Sequence, residues 1–349
     1  MLKMGLIGFG KSANRYHLPY INLRKNIQVK TIYNLSRNPE LEQEYAEKGV
    51  DFTTDLEFLL NDNEIQLISI CTPAHTHYEL AKRAILAGKN VIVEKPFCST
   101  LSETKELLNL GKEYNVMVMP FQNRRFDGDF LALKQVLEQG YVGEPLELET
   151  HFDYYRPTNT PNPGPIVEGT FFGLGIHTID RIISLFGRPQ KVAYDIRSVQ
   201  NKGSLDDYFD VDLHYSNQFK AKVKTSHLVA KSYPQIILHG TKGSFIKYGI
   251  DQQENDLKAG ISPDAPGFGH DSPNQYGSLR YLNTNGDWIE KQIPTPVGDY
   301  GRVYDFAYDT IINGAPKLVS DEETITNIEI LESGFIQENP SVFKLESGK

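Results

Sequence analysis

Cysteine is nearly absent: Cys71 and Cys98 are the only two in 349 residues. So few thiols exclude a disulfide framework and fit a reducing cytoplasm. Both fall near predicted strand ends, where buried, inert thiols are expected rather than redox groups. Long apolar runs are missing too. None approaches the ~20 residues of a membrane helix, and the first residues, Met1-Leu2-Lys3-Met4-Gly5, pass straight into a strand pattern, too short for a signal peptide. A cytoplasmic protein that engages no membrane is therefore expected. Positive charge is in deficit: 36 Lys and Arg face 45 Asp and Glu, for a net charge of −9. With no basic tract and no basic-aromatic interleaving, nucleic acid is excluded as a partner. No internal repeat or low-complexity tract occurs.

What is present suits about two domains with sizeable cores. Apolar residues make up 39% and charged residues 23% of the chain. The first third alternates strand and helix patterns, as βαβ units do. Strands are expected at 4–8, 29–33, 67–71, 91–93 and 116–120. Helices are expected from the first strand through about Leu18, stopping near Pro19, and at 39–48, 78–87 and 99–114, the last capped by Ser99 or Ser102. These elements close into a mostly parallel, doubly wound sheet. After about Phe121 the pattern changes. Helices are expected at 130–138, 178–186, 302–312 and 322–336. Strands with a two-residue period are expected at 147–155, 192–198, 209–215, 221–227, 235–240 and 244–248. A proline-rich loop spans 157–165, and 255–275 reads as loop. The expected architecture is an α/β Rossmann dinucleotide-binding domain over 1–121, followed over 122–349 by an α+β substrate-binding and oligomerisation domain with a large, mainly antiparallel open sheet. The active site is expected between them.

Leu6-Ile7-Gly8-Phe9-Gly10-Lys11-Ser12-Ala13 matches G-x-G-x-x-A between a strand and a helix. Gly8 permits the tight turn, Gly10 lets backbone approach a pyrophosphate, and Ala13 is small enough for close helix–strand packing. The N–H groups of Lys11 and Ser12 open the helix that faces the phosphates. The end of the second strand, Tyr33-Asn34-Leu35-Ser36-Arg37, bears on the choice of cofactor. NAD binders usually place a carboxylate there for the ribose 2′-hydroxyl. Asn34 repels no 2′-phosphate, while Ser36 and Arg37 donate hydrogen bonds to one. NADP is expected, with NAD the alternative.

Val91-Ile92-Val93-Glu94-Lys95-Pro96-Phe97 is a buried-strand run ending in a lysine held by proline. Ligands in open α/β sheets bind at the carboxyl ends of such strands. There a lysine loses hydration and titrates nearer neutrality, and proline restricts its backbone, with a cis Lys95-Pro96 bond expected. Glu94 is expected to orient Lys95, and Glu94, Lys95 and Pro96 are expected to bind the cofactor as well. Thr72-Pro73-Ala74-His75-Thr76-His77, after the third strand, is expected to border the nicotinamide. Its H-x-H pair lacks the further ligands a zinc site needs, so no metal is expected. Far downstream, Gly173-Leu174-Gly175-Ile176-His177-Thr178-Ile179-Asp180 places Asp180 three residues after His177 on one helix face, where it can fix the imidazole tautomer. Gly175 is expected to admit a ligand or backbone closely.

Together, Gly8/Gly10/Ala13, Glu94-Lys95-Pro96 and Gly175-x-His177-x-x-Asp180 resemble the motifs of the Gfo/Idh/MocA oxidoreductases across nearly the whole chain. The stretches 151–157 and 243–254 are similar to the branch that includes NADP-dependent scyllo-inositol dehydrogenases. The resemblance implies hydride exchange between nicotinamide and a sugar, inositol or related polyol carbon, with Lys95 and His177 as the acid-base pair. It also implies a homodimer or homotetramer. One departure stands out: inositol dehydrogenases of this family often carry aspartate four residues before the histidine, and here that position is Gly173. Arg124, Arg125, Tyr155, Arg156, Asp180, Tyr300 and Arg302 are the candidate substrate-facing residues. Two other functions are compatible with the scaffold: redox-neutral glycoside cleavage through transient oxidation, and non-catalytic NADP sensing. A sensor has no need of the lysine and histidine.

Overall fold

In the computed structural model, which describes residues 1–158, 161–337 and 339–340, the first third forms six strands, largely buried except for the short third one. They are β1 (Leu2–Ile7), β2 (Ile27–Tyr33), β3 (Asp51–Thr53), β4 (Leu67–Ile70), β5 (Asn90–Val93) and β6 (Val118–Pro120). All pair in parallel, in the order β3-β2-β1-β4-β5-β6. The order reverses between β1 and β4, so their carboxyl ends form the crevice where such sheets take ligands. Fully buried side chains such as Leu6, Leu67 and Ile92 contribute roughly 1.5–3 kcal/mol each.

The connecting helices are α1 (Leu18–Ile21), α2 (Pro39–Ala46), α3 (Leu56–Leu60), α4 (His77–Leu86) and α5 (Leu101–Glu113), with α6 (Gly128–Glu138) after β6. Two local expectations are corrected. Pro19 does not stop the first helix. A π-helical turn, Ala13–His17, runs into α1, where Pro19 sits in the first turn and its missing N–H costs nothing. The cap of α5 is Thr100, between the two serines expected. Its hydroxyl accepts from Glu103 N while the Glu103 carboxylate accepts from Thr100 N. That reciprocal pair is worth about 1 kcal/mol.

The second sheet has eight strands: β7 (Pro145–His151), β8 (Lys191–Arg197), β9 (Tyr208–His214), β10 (Lys220–Ser226), β11 (Ile236–Gly240), β12 (Gly243–Lys247), β13 (Gly277–Leu282) and β14 (Trp288–Ile293). Their order is β14-β13-β12-β11-β7-β10-β9-β8, antiparallel except for β7 against β10. Alternation in β9 and β10 buries Phe209, Val211, Ala221 and Val223 on one face. The other face carries a charge ladder in which Lys222 bonds Asp210 and Asp212. Helix α7 (Ile176–Phe186) packs against β10. Of the proline-rich loop, residues 159–160 lie outside the described residues.

The expected boundary at 121/122 is a cut in sequence. In space the first compact unit comprises 1–131, 251–273 and 295–328, and the second comprises 132–250, 274–294 and 329 onward. The stretch expected as loop from 255 contains most of α8 (Gln252–Lys258), and α9 (Arg302–Asn313) and α10 (Asp321–Ser333) follow. Leu257, Tyr300, Val303, Tyr304 and Ala307 join the hydrophobic core of the first unit, beneath the parallel sheet.

Candidate active site

Gly8 stands at the end of β1 with φ +101°. A Cβ there would lie 2.9 Å from the Cys71 carbonyl oxygen, so only glycine lets the β1 and β4 ends approach. Gly10 differs: a Cβ on it would meet nothing within 4 Å. The Asn14 amide folds back to donate to the Phe9 and Gly10 carbonyls, both at 3.0 Å, and braces the loop. Ala13 is fully buried. A tight turn fixed at Gly8 and space kept open at Gly10 fit a dinucleotide pyrophosphate.

At the end of β2, Asn34 Oδ1 accepts from Phe9 N at 3.3 Å, and its amide donates to the Ser36 carbonyl. This ties the glycine loop to the segment that follows β2. Arg37 is exposed and bonds the buried Glu42 through Nε at 2.7 Å and Nη2 at 2.6 Å. The Arg37 contact holds the Glu42 carboxyl below its ordinary range.

Lys95 follows β5 directly, and the Lys95-Pro96 bond is cis, as expected. Burial lowers the Lys95 pKa, and Arg124 adds to that; Glu94 and Glu254 oppose it. Glu94 has two tasks. One oxygen accepts from Lys95 N at 2.9 Å. The other accepts from Ser12 Oγ and from His17 Nε2, the latter at 2.9 Å. Burial pushes the Glu94 carboxyl up, but the His17 bond and charge, then Lys95 and Ser12, hold it down at about 2.

The candidates divide by position. His75 is exposed, whereas His77 is buried, with Nδ1 2.8 Å from the Pro96 carbonyl and Nε2 2.9 Å from the Thr72 carbonyl. Its ring therefore sits between the β4 loop and the Lys95-Pro96 turn. Thr72 itself hydrogen-bonds Thr76 through its side chain. Burial lowers the pKa of His77. Arg124 and Arg125, adjacent in sequence, part company. Arg124 reaches Asp127 at 3.0 Å and Glu254 at 3.2 Å, within the electrostatic reach of Lys95. Arg125 is committed to the Leu318 carbonyl at 2.8 Å and Glu323 at 3.2 Å. Tyr300 is fully buried against Tyr16 and Tyr20, and its hydroxyl has no partner among the described residues. Arg302 is exposed over the Phe126 ring.

In the second unit, a π-helical turn, Phe171–Gly175, leads into α7. His177 and Asp180 are both buried there. Gly175 admits a ring: a Cβ would lie 2.7 Å from Phe171 Cδ2, so its close approach is to the turn's own phenylalanine. Asp206 anchors the turn by accepting from Phe171 N at 2.6 Å. Tyr155 and Arg156 are exposed, Arg156 stacking 3.8 Å from the Tyr154 ring centre. Sequence reading missed His17, Tyr304, Glu254, Asp206 and the buried Arg181, whose guanidinium sits 5.2 Å over Phe152. Arg181 follows Asp180 directly, the one local signal among them.

Comparison with known proteins accords with this geometry. Residues 2–122 match the model of the oxidoreductase family's NAD-binding Rossmann fold, and 134–342 match its C-terminal alpha/beta domain. The chain belongs to the Gfo/Idh/MocA oxidoreductase family. It is 52% identical to the uncharacterized oxidoreductase YhhX of Escherichia coli over 99% of both chains. It is 32% identical to the Bacillus subtilis scyllo-inositol 2-dehydrogenase (NADP(+)) IolW, covering 95% of this chain and 92% of that one. The crystal structure of an oxidoreductase from Bacillus cereus superposes with TM-score 0.96 at 66% identity, covering 100% of both chains. Among the described residues no helix is long and apolar enough to cross a membrane.

Proposed function

We propose that the protein is an NADP-dependent dehydrogenase or reductase acting on a carbinol or carbonyl carbon of a sugar, inositol or related polyol, with Lys95 and His177 as its acid-base groups. The observation that carries this reading is Lys95 at the carboxyl end of β5. Its amine is shifted toward neutrality by burial, and its backbone is held by Glu94. Bound nicotinamide supplies the hydride acceptor or donor.

In the oxidative direction the neutral Lys95 amine takes the hydroxyl proton as the carbon gives up hydride. In the reductive direction the ammonium stabilises and then protonates the developing alkoxide. Arg124, pinned between Asp127 and Glu254, keeps a second positive charge near Lys95 and favours its neutral form. Arg37, aimed by Glu42, and Ser36 supply the donors for a 2′-phosphate. The relative named an NADP(+)-dependent scyllo-inositol dehydrogenase supports both the cofactor and the substrate class. Buried Cys71 and Cys98, in no disulfide, support a cytoplasmic setting. The open eight-stranded sheet supports a homodimer or homotetramer.

The test is a screen of inositols, aldoses and keto-sugars with NADP and NAD, following absorbance of the reduced cofactor. Activity on a polyol or sugar with NADP preferred is expected. No turnover across the panel overturns the reading.

A further inference from the structure

His17 is a fully buried titratable side chain beside this site, and the proposed chemistry does not use it. It closes the π-helical turn that follows the glycine loop, and its exposure is 0%. Every polar atom on its ring is engaged. Nε2 lies 2.9 Å from Glu94 Oε1, and Nδ1 lies 2.5 Å from the Tyr304 hydroxyl on α9. Tyr304 in turn lies 3.1 Å from Ser69 Oγ on β4. The ring is stacked on Phe121 at 3.9 Å. A line of contacts thus runs from Ser69 through Tyr304, His17 and Glu94 to the backbone N–H of Lys95.

The donors along this line can be counted. With an imidazolium, Nε2–H donates to Glu94 and Nδ1–H to Tyr304, whose hydroxyl donates on to Ser69. With a neutral ring, Nε2–H still donates to Glu94, while the hydroxyls turn about: Ser69 donates to Tyr304 and Tyr304 to Nδ1. Every group is satisfied in both states, so hydrogen bonding alone does not force a charge. The Glu94 carboxylate, 2.9 Å from Nε2, favours one. Burial works against a charge on His17, and Cys71, Tyr304 and Glu94 work for it; the sum holds its pKa well above the ordinary value.

We propose that His17, braced by Tyr304, is a positioning residue: it holds the Glu94 carboxylate and offsets its charge, and so sets how firmly Lys95 holds its proton. The inference rests on the reading of Lys95 as the proton-transfer group, but its test does not need the substrate. Charged and titratable groups face both members of the pair. Glu94, Arg124, Glu254 and His77 act on Lys95. Glu94, Cys71 and Tyr304 act on His17. Removing the imidazolium leaves Glu94 ionised, because Ser12 Oγ and Lys95 N still donate to it. Its charge then pulls uncompensated on the Lys95 ammonium.

The experiment is reductive methylation of the full-length protein with ¹³C-formaldehyde, followed by NMR titration of the Lys95 dimethylamine, assigned by its loss in Lys95→Met. In the unsubstituted protein the midpoint lies below that of the surface lysines. His17→Phe keeps the stack on Phe121 and removes both ring nitrogens. His17→Gln keeps a donor toward Glu94 and removes the charge, and serves if the phenylalanine variant does not fold. In each folded variant the Lys95 midpoint rises by about one pH unit, a tenfold change in the fraction of free amine. A midpoint unchanged or lowered in a folded variant overturns the proposal, because a merely structural histidine leaves it in place. Failure of the dehydrogenase reading shows separately, as turnover that survives Lys95→Met.

Discussion

Arg37 Nε and Nη2 lie 2.7 and 2.6 Å from the Glu42 carboxylate, which anchors the guanidinium from the first turn of α2. An arginine on a loop is usually mobile, and this one is aimed. If it receives a 2′-phosphate, Arg37→Ala reduces the ratio of NADP to NAD efficiency by roughly ten- to a hundredfold. Glu42→Gln, which slackens the aim and keeps the charge, reduces it less. Steady-state kinetics with both cofactors, or binding titrations in the absence of substrate, measure the ratio. A ratio unmoved by Arg37→Ala removes this residue from cofactor choice.

The two glycines of the turn give opposite outcomes. Gly8→Ala forces a side chain onto φ +101° and against the Cys71 carbonyl. It destabilises the protein by roughly 1–3 kcal/mol, read as a lower denaturation midpoint. Gly10→Val enters open space in the free protein and leaves stability nearly unchanged, yet weakens NADP binding at least about tenfold. Cofactor affinity that survives Gly10→Val places the pyrophosphate elsewhere.

Asp206 provides a test by pH. Burial raises its carboxyl from 3.8 to about 6. The folded state therefore binds this proton more tightly than the unfolded chain does. The contribution of Asp206 to stability is fully present below about 4 and is lost as pH rises through about 6. Asp206→Asn keeps an acceptor for Phe171 N and removes the charge. Relative to the parent, the variant gains on the order of 2 kcal/mol at neutral pH and nothing at pH ~4. Urea melts of both proteins at the two pH values measure the difference. An equal gap at both contradicts the assignment.

Gly173 stands where related inositol dehydrogenases often carry aspartate, and a Cβ there meets nothing within 4 Å. Gly173→Asp is accommodated with a stability change of about 0.5 kcal/mol or less. The new carboxylate, four residues before His177, favours the charged imidazole and shifts its titration upward. A proton NMR titration of the histidines reads it, and an unmoved His177 places residue 173 out of reach of the ring.

Much of this was legible in local pattern. The strands of the parallel sheet announce themselves because burial on both faces makes their sequences continuously apolar. Glycine spacing between β1 and the helix that follows marks the cofactor turn by itself. β3 was missed because its three residues, Asp51–Thr53, are too short and too exposed for any period to register. The β13–β14 hairpin did leave a signal: Asn285-Gly286 between two alternating runs marks a tight turn. The supports of Lys95 beyond Glu94 left none. His17 is 77 residues from Glu94 and 287 from Tyr304, and Glu254 is 238 from Tyr16. Only the closed fold brings them together, so a sequence shows the lysine at the strand end and hides the groups packed around it.

The central claim is that Lys95 transfers the proton, and Lys95→Met tests it most directly. Methionine matches the length of the lysine stem without its charge, and Glu94 still accepts from the backbone N–H of residue 95. NADP affinity by fluorescence titration and turnover on the polyol or sugar identified by the screen are measured on the same preparation. Cofactor affinity is expected within about threefold of the parent, and turnover is expected to fall by at least about a thousandfold. Turnover that persists at the parent rate with cofactor bound contradicts the claim.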